Sequence, residues 1–199
     1  MAEVLYLSHP QVAIDPAVPV PDWGLSPLGR ARTEAFASLP MLARIGRVVA
    51  SLERKAIETA EIIAAAQGLA VEIRDGLHEN DRSATGFLPP GEFEAMADRF
   101  FAAPEASICG WERAVDAQRR IVAGVEAILG ERPEAAGITL FVGHGGVGTL
   151  LLCHCAGWTI SRQHDQPAGG GNLFRFEHPP FRLLDPWQRM EAAGSFKPF

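Results

Sequence analysis

Two histidines stand where chemistry could occur. His9 follows the apolar run Val4-Leu5-Tyr6-Leu7, and His144 follows Ile138-Thr139-Leu140-Phe141-Val142-Gly143. Short apolar runs that stop at turn signals read as buried strands. In open α/β sheets, ligands bind in the crevice outside the carboxyl ends of the strands. Two neighbouring parallel strands would therefore bring both imidazoles into one crevice. Gly145, Gly146 and Gly148 keep side chains out of the turn after His144, and the helix pattern that follows offers an N-terminus favourable to an anion. Arg54, three residues past Ser51, lies at another strand-to-helix junction. Its planar fork suits a phosphate bidentately. Its other reading is a surface arginine paired with Glu53 or Glu58.

The elements that must position these residues alternate between strand and helix. Val4–Leu7 is the first strand, and Pro10 favours its end at His9. Ser26-Pro27 opens a helix to about Leu39, with the serine as cap and the proline in the first turn. Arg47–Ser51 is the second strand. Ser51 can cap a helix from Leu52 to about Gln67, on which Ala56, Ala60, Ile63 and Gln67 share a face and which Gly68 ends. Ala70–Ile73 is a third strand, and Glu92–Ala102 a helix. Trp111, Val115, Gln118, Val122, Val125 and Leu129 form the stripe of a helix over 111–129. The strand into His144 is followed by a helix to about Gly157. Leu173–Phe176 is the last strand. This alternation predicts an α/β fold: a single domain over 1–199, three layers α/β/α, with a mostly parallel central sheet. The tail over about 180–199, rich in Pro and Phe, is expected to pack on the body or fray.

The chain has 199 residues, 47% of them hydrophobic and 21% charged, with a formal charge of −6 from 18 basic and 24 acidic residues. That balance argues against bulk nucleic-acid binding and against an anionic membrane surface. No run of 18 apolar residues predicts a membrane span, and the acidic start does not read as a signal peptide. Three cysteines, an odd count, suit a reducing compartment better than a disulfide framework. The expected location is the cytoplasm.

With these segments in order, the chain resembles the histidine phosphatase superfamily, the phosphoglycerate-mutase-like proteins. That family opens with Leu-x-Arg-His-Gly, and here Leu7-Ser8-His9-Pro10 stands in its place. Leu25-Ser26-Pro27-Leu28-Gly29 matches the family's Leu-Thr-x-x-Gly. Ser51 to Ala60 follows its Ser-x-x-Arg-x-x-x-Thr-Ala, with Thr59-Ala60 displaced by one place from some members. Leu77-His78-Glu79 matches Leu-x-Glu, and Val142-Gly143-His144-Gly145 matches Val-x-His-Gly. The resemblance spans residues 4 to 176 and implies a phosphatase acting on a phosphate monoester through a phosphohistidine. It makes His9 the nucleophile, His144 and Arg54 the holders of the phosphoryl oxygens, and Glu79 the acid and base. It calls for no metal and no cofactor. The implied partner is a small phosphorylated molecule or phosphate.

One departure bears on activity: serine stands at position 8 where the family has arginine. Loss of a charge-assisted hydrogen bond is worth roughly 1.5–3 kcal/mol. Arg82 is a candidate substitute, or else a solvated loop arginine. Asn172, at a strand start after three glycines, is a candidate for the pocket wall. The departure leaves an alternative, a weak or inactive phosphate-binding or regulatory protein on the same fold. The 199 residues leave little room for the large insertions that mutases place over their sites, so a phosphatase is expected ahead of a phosphoglycerate-type mutase. Gly143-His144-Gly145-Gly146-Val147-Gly148, with Asp165 about 20 residues on, also spells a dinucleotide fingerprint, but that reading leaves His9 and Arg54 unused. Cys153-His154-Cys155 cannot converge on one ion, because helical neighbours point about 100° apart.

Overall fold

In the computed structural model, which describes residues 1–132 and 137–195, the apolar runs assemble into one six-stranded sheet. The strands are β1 (Ala2–Ser8), β2 (Ile45–Ser51), β3 (Val71–Arg74), β4 (Ile138–Gly143), β5 (Asn172–His178) and β6 (Arg182–Arg189), in the order β3-β2-β4-β1-β5-β6. The pairs β1/β4, β2/β4 and β2/β3 are parallel, whereas β5 runs antiparallel to both β1 and β6. Five strands therefore point one way and β5 alone opposes them. Strand residues alternate between faces, so β1 serves two cores. Val4 and Tyr6 join Phe141, Phe174 and helices on one face, while Leu5 and Leu7 join Val48, Leu140 and helices on the other.

Helices α1 (Pro27–Ala37) and α2 (Arg54–Gln67) cover the second face; α3 (Pro90–Ala102), α4 (Ala114–Glu131) and α5 (Gly145–Ala156) cover the first. Ser26 caps α1 as its sequence suggests, its Oγ accepting the Gly29 N–H at 3.1 Å. Gly68 and Gly157 end α2 and α5 with φ of 66° and 67°, the left-handed conformation that costs glycine least. Cys153 and Cys155 are buried on α5 while His154 between them is exposed. Among the described residues no group of three or more His, Cys, Asp or Glu could hold a metal, and no helix is long and apolar enough to cross a membrane.

Three expectations are corrected. Helix α4 starts at Ala114, and its buried stripe is Ala114, Ala117, Ile121, Val125, Ile128 and Leu129. Of the expected stripe Val125 and Leu129 are buried on the helix, Trp111 is buried but precedes it, and Val115, Gln118 and Val122 are only half-buried at its flank. Helix α2 starts at Arg54 with Glu53 in the capping position and no side-chain cap; the Ser51 hydroxyl, two residues earlier, meets His144 and accepts the Glu53 N–H at 3.3 Å, outside the helix. The supposed tail contains β6, and a 3-10 helix follows over Met190–Ser195. Pro186 concealed this strand. A proline lacks the N–H of a central strand but is tolerated at a sheet edge. Residues 196–199 lie outside the described residues.

The Ser26→Ala variant is expected to lose about 1 kcal/mol of stability through the lost cap. Urea denaturation should show a lower midpoint with an unchanged slope.

Candidate active site

The register of β1 and β4 sets Ser8 opposite Gly143, and the His9 N–H donates to the Gly143 carbonyl at 2.9 Å. The next residue on each strand is a histidine, and the two rings meet edge to face with centroids 5.3 Å apart. Tyr6 fastens the turn. Its hydroxyl donates to the His144 carbonyl at 3.1 Å and accepts the His144 N–H at 3.0 Å. Gly143 is required here, since a Cβ at that position would lie 2.4 Å from the tyrosine oxygen.

His9 Nδ1 lies 2.8 Å from the Pro10 carbonyl, which can only accept, so Nδ1 carries the proton and Nε2 keeps its lone pair. Burial and the neighbouring His144 and Lys55 push the His9 pKa down to about 3. His144 is fully buried, and that burial lowers its pKa although Glu53 and Glu79 oppose the shift. Its Nε2 meets Ser51 Oγ at 2.6 Å and Glu53 Oε1 at 3.4 Å, while its Nδ1 has no partner.

Glu79 sits on the N-terminus of α5. Its Oε2 accepts the Gly146 N–H at 3.1 Å, and its Oε1 accepts those of Val147 at 2.9 Å and Asn80 at 3.1 Å. The helix end that favours an anion is thus already holding this carboxylate. Burial pushes the Glu79 pKa up, but Arg82 and the backbone N–H of Val147 outweigh it and hold the group ionised. Arg82 lines the cleft with its guanidinium 4.9 Å from the Phe93 ring centre and 5.7 Å from that of Trp111. Among the described residues it forms no ion pair.

The structure does not bring the other three expected binding residues to the cleft. Arg54 is 64% exposed on the outer side of α2 and pairs with Glu58 at 2.8 Å. Helical geometry explains this. The inward face of α2 holds Lys55, Ala56, Thr59, Ala60 and Ile63, and position 54 is turned about 100° away from 55. Ser8 is fully buried, its hydroxyl donating to Gln166 Oε1 at 2.5 Å and accepting the Asn172 N–H at 3.1 Å. Asn172 is also fully buried, and its Nδ2 donates to Gln166 Oε1 at 3.0 Å and to the Pro167 carbonyl at 2.8 Å. These two residues brace Gln166, which itself lines the cleft.

Three residues at the site were missed. Lys55 lines the cleft, its Nζ donating to the Val20 carbonyl at 2.8 Å and pairing closely with Glu53. The displaced Thr59-Ala60 was the signal, because aligning the family pattern on Thr59 brings Lys55, not Arg54, to the arginine's place. Glu53 accepts the Glu79 N–H at 2.8 Å. Burial pushes its pKa up, but Lys55 and these hydrogen bonds outweigh it and hold it down at about 2. Asn80 lines the cleft and is buried with its Nδ2 unpartnered. Nothing in the spacing distinguished Glu53 or Asn80 from ordinary polar loop residues.

The dinucleotide reading also fails on geometry. Glu79 occupies the helix end where a pyrophosphate would sit, and Asp165 follows a 3-10 helix and accepts the Thr149 hydroxyl at 2.9 Å. What remains is a two-histidine crevice at the strand ends of an α/β sheet, with carboxylates and cations around it. A family model confirms that class: residues 16–184 match the histidine phosphatase superfamily (branch 1). The chain belongs to that superfamily. The matched residues include Lys55, Glu79 and His144 and begin after His9.

Several solved structures are similar. A mycobacterial glucosyl-3-phosphoglycerate phosphatase aligns with a TM-score of 0.76 and 20% identity, covering 94% of this chain and 96% of that one. YhfR of Bacillus stearothermophilus aligns at 0.75 and 20%, covering 93% and 95%. A phosphoserine phosphatase from Entamoeba histolytica aligns at 0.70 and 15%, covering 93% and 95%. No match is found among curated proteins.

Both histidines are held neutral in the fold, so stability is expected to fall in acid. Between the ordinary histidine pKa of 6.5 and the folded value of about 3 for His9, the unfolded chain binds protons that the folded chain does not. Stability therefore rises with pH in that window, by up to about 1.4 kcal/mol per pH unit for each such histidine. Urea titrations at several pH values should show His9→Gln with a shallower slope than wild type above pH 4.5, where carboxylates contribute little.

Proposed function

We propose that this chain is a phosphatase that hydrolyses a phosphate monoester through a phosphohistidine at His9. The observation that carries the reading is the His9 ring. Its Nδ1 is tied to the Pro10 carbonyl, and its Nε2 lone pair is free beside a second buried histidine. A neutral imidazole so held is a nucleophile at every ordinary pH. Nε2 would attack phosphorus and displace the alcohol. Water, with its proton drawn off by Glu79, would then cleave the N–P bond.

The donors for the phosphoryl oxygens would be Lys55, Arg82, Asn80 Nδ2 and His144 Nδ1, the last two being buried and unpartnered. Buried polar groups in a finished site have partners, and phosphoryl oxygens would supply them. For His144 this requires the tautomer in which the Ser51 hydroxyl donates to Nε2. Lys55 would replace one family arginine. At position 8 a short buried hydroxyl cannot replace another, and Arg82, which lines the cleft, would take that charge. The cleft encloses about 480 Å³ and continues into an apolar wall that includes Trp23, Phe87, Leu88 and Phe93. That wall suits an ester with an apolar or aromatic organic group.

A second reading is a phosphate-binding or regulatory protein with little turnover. It is favoured by the pairing of Lys55 with Glu53, which leaves that cation partly satisfied before any phosphate arrives.

Rapid quenching of a labelled aryl phosphate reaction should trap an acid-labile, base-stable phosphoryl group on wild type and none on His9→Ala. Lys55→Ala should lower kcat/KM by about 10- to 100-fold, as for loss of a charged hydrogen bond. Arg54→Ala should remain within about twofold of wild type. A wild-type protein that binds phosphate without turnover or label would support the binding reading. Full activity in His9→Ala would refute the nucleophile.

A further inference from the structure

The proposed reaction leaves one proton unaccounted for. An alcohol is a poor leaving group unless protonated, and the carboxyl group placed to protonate it is Glu79. Yet Glu79 carries three backbone N–H donors on two oxygens. A protonated carboxylic acid has fewer acceptor sites than a carboxylate, so this arrangement favours the anion. Oε1 takes two of the donors and Oε2 only one, so Oε2 retains an acceptor site on a residue that lines the cleft. A bare phosphoryl oxygen would be repelled there. A phosphoryl oxygen bearing a proton would be bound.

The charges around the cleft point the same way. From α2, Lys55 lines the cleft but is paired with Glu53, which also accepts the Glu79 N–H. From the loop of Glu79 itself comes Arg82, without an ion pair among the described residues. On the far wall Arg162 is paired with Glu94 and Asp98 of α3, and Asp165 stands nearby. From α4, Arg120 donates to the Glu79 carbonyl rather than to its carboxylate. The two histidines, on β1 and before α5, add no charge because their pKa values are lowered. Carboxylates thus outnumber cations, and a dianion would enter an unfavourable field.

We infer that the cleft takes its phosphate ester as the monoanion, with the P–OH proton donated to Oε2 of Glu79. The inference rests on the phosphatase reading for its chemistry but not for its binding. In the chemical step His9 Nε2 forms a bond to phosphorus, and the bond from phosphorus to the ester oxygen breaks. The P–OH proton passes through Glu79 to that oxygen, which leaves as a neutral alcohol. The phosphoryl group, which enters with one negative charge, gains a second as its proton leaves, and the imidazole gains one positive charge. Total charge is conserved, and no acid other than the substrate is consumed.

The test is calorimetric titration of the wild-type chain with benzylphosphonate and its α,α-difluoro analogue between pH 5 and 9. The fluorines lower the second pKa of the ligand and leave its shape nearly unchanged. Above each ligand's own second pKa the association constant should fall tenfold per pH unit, with the break earlier for the difluoro compound by the difference between the two pKa values. In Glu79→Gln the fall should flatten, because a neutral amide tolerates the dianion. Affinity that holds or rises through the second pKa in wild type would overturn the inference, as would an undiminished fall in Glu79→Gln. If that variant fails to fold, the two wild-type profiles decide. If binding follows the monoanion but no aryl phosphate is turned over, the phosphatase reading fails and the inference stands. If neither phosphonate binds, both fail.

Discussion

The parallel pairing of β1 with β4 is the contact on which the site depends. A shift of one residue along that pairing would turn the strand's side chains to the opposite faces. Val4 and Tyr6 would exchange layers with Leu5 and Leu7, and His9 would lose its place beside His144. The register is held by two buried cores, one on each face of the sheet, and closed by the His9 N–H on the Gly143 carbonyl. The Tyr6 hydroxyl then clasps both backbone groups of His144. The two imidazoles are fixed by backbone and core rather than by flexible loops, so their mutual orientation is set before any ligand arrives.

Around that fixed pair the electrostatics are unusual for a phosphate site. Burial keeps both rings neutral. The helix end that would welcome a phosphate carries Glu79, and the lysine on the inward face of α2 carries Glu53. Arg82, laid against Phe93 and Trp111, is a cation of the cleft that, among the described residues, forms no ion pair. Superfamily membership and the two-histidine geometry therefore coexist with a charge distribution in which the helix end and the inward lysine already hold carboxylates.

Much of the fold was legible in the sequence because its signals are local and periodic. Apolar runs, the Ser26-Pro27 start, and Gly68 and Gly157 as stops all act within one element. The neighbouring of His9 and His144 was also legible, since both follow strands at the same end. What was not legible depends on phase or on distant partners. Arg54 and Lys55 differ by one residue, and only the helix phase decides which faces inward. Ser8 and Asn172 are drawn away by Gln166, more than 150 residues from Ser8 in the chain. Glu53 gains its meaning from Lys55, His144 and the Glu79 backbone. The edge strand β6 was hidden by a proline that only an edge tolerates.

The central claim is that His9 is a neutral imidazole with its proton on Nδ1 and a free lone pair on Nε2. Long-range proton–nitrogen NMR of the histidine rings reads this directly. Between pH 5 and 8 the account predicts one ring, absent from His9→Gln, with a protonated Nδ1, an unprotonated Nε2 and no titration. A His9 ring that titrates near the ordinary histidine pKa of about 6.5, or that carries its proton on Nε2, would contradict it.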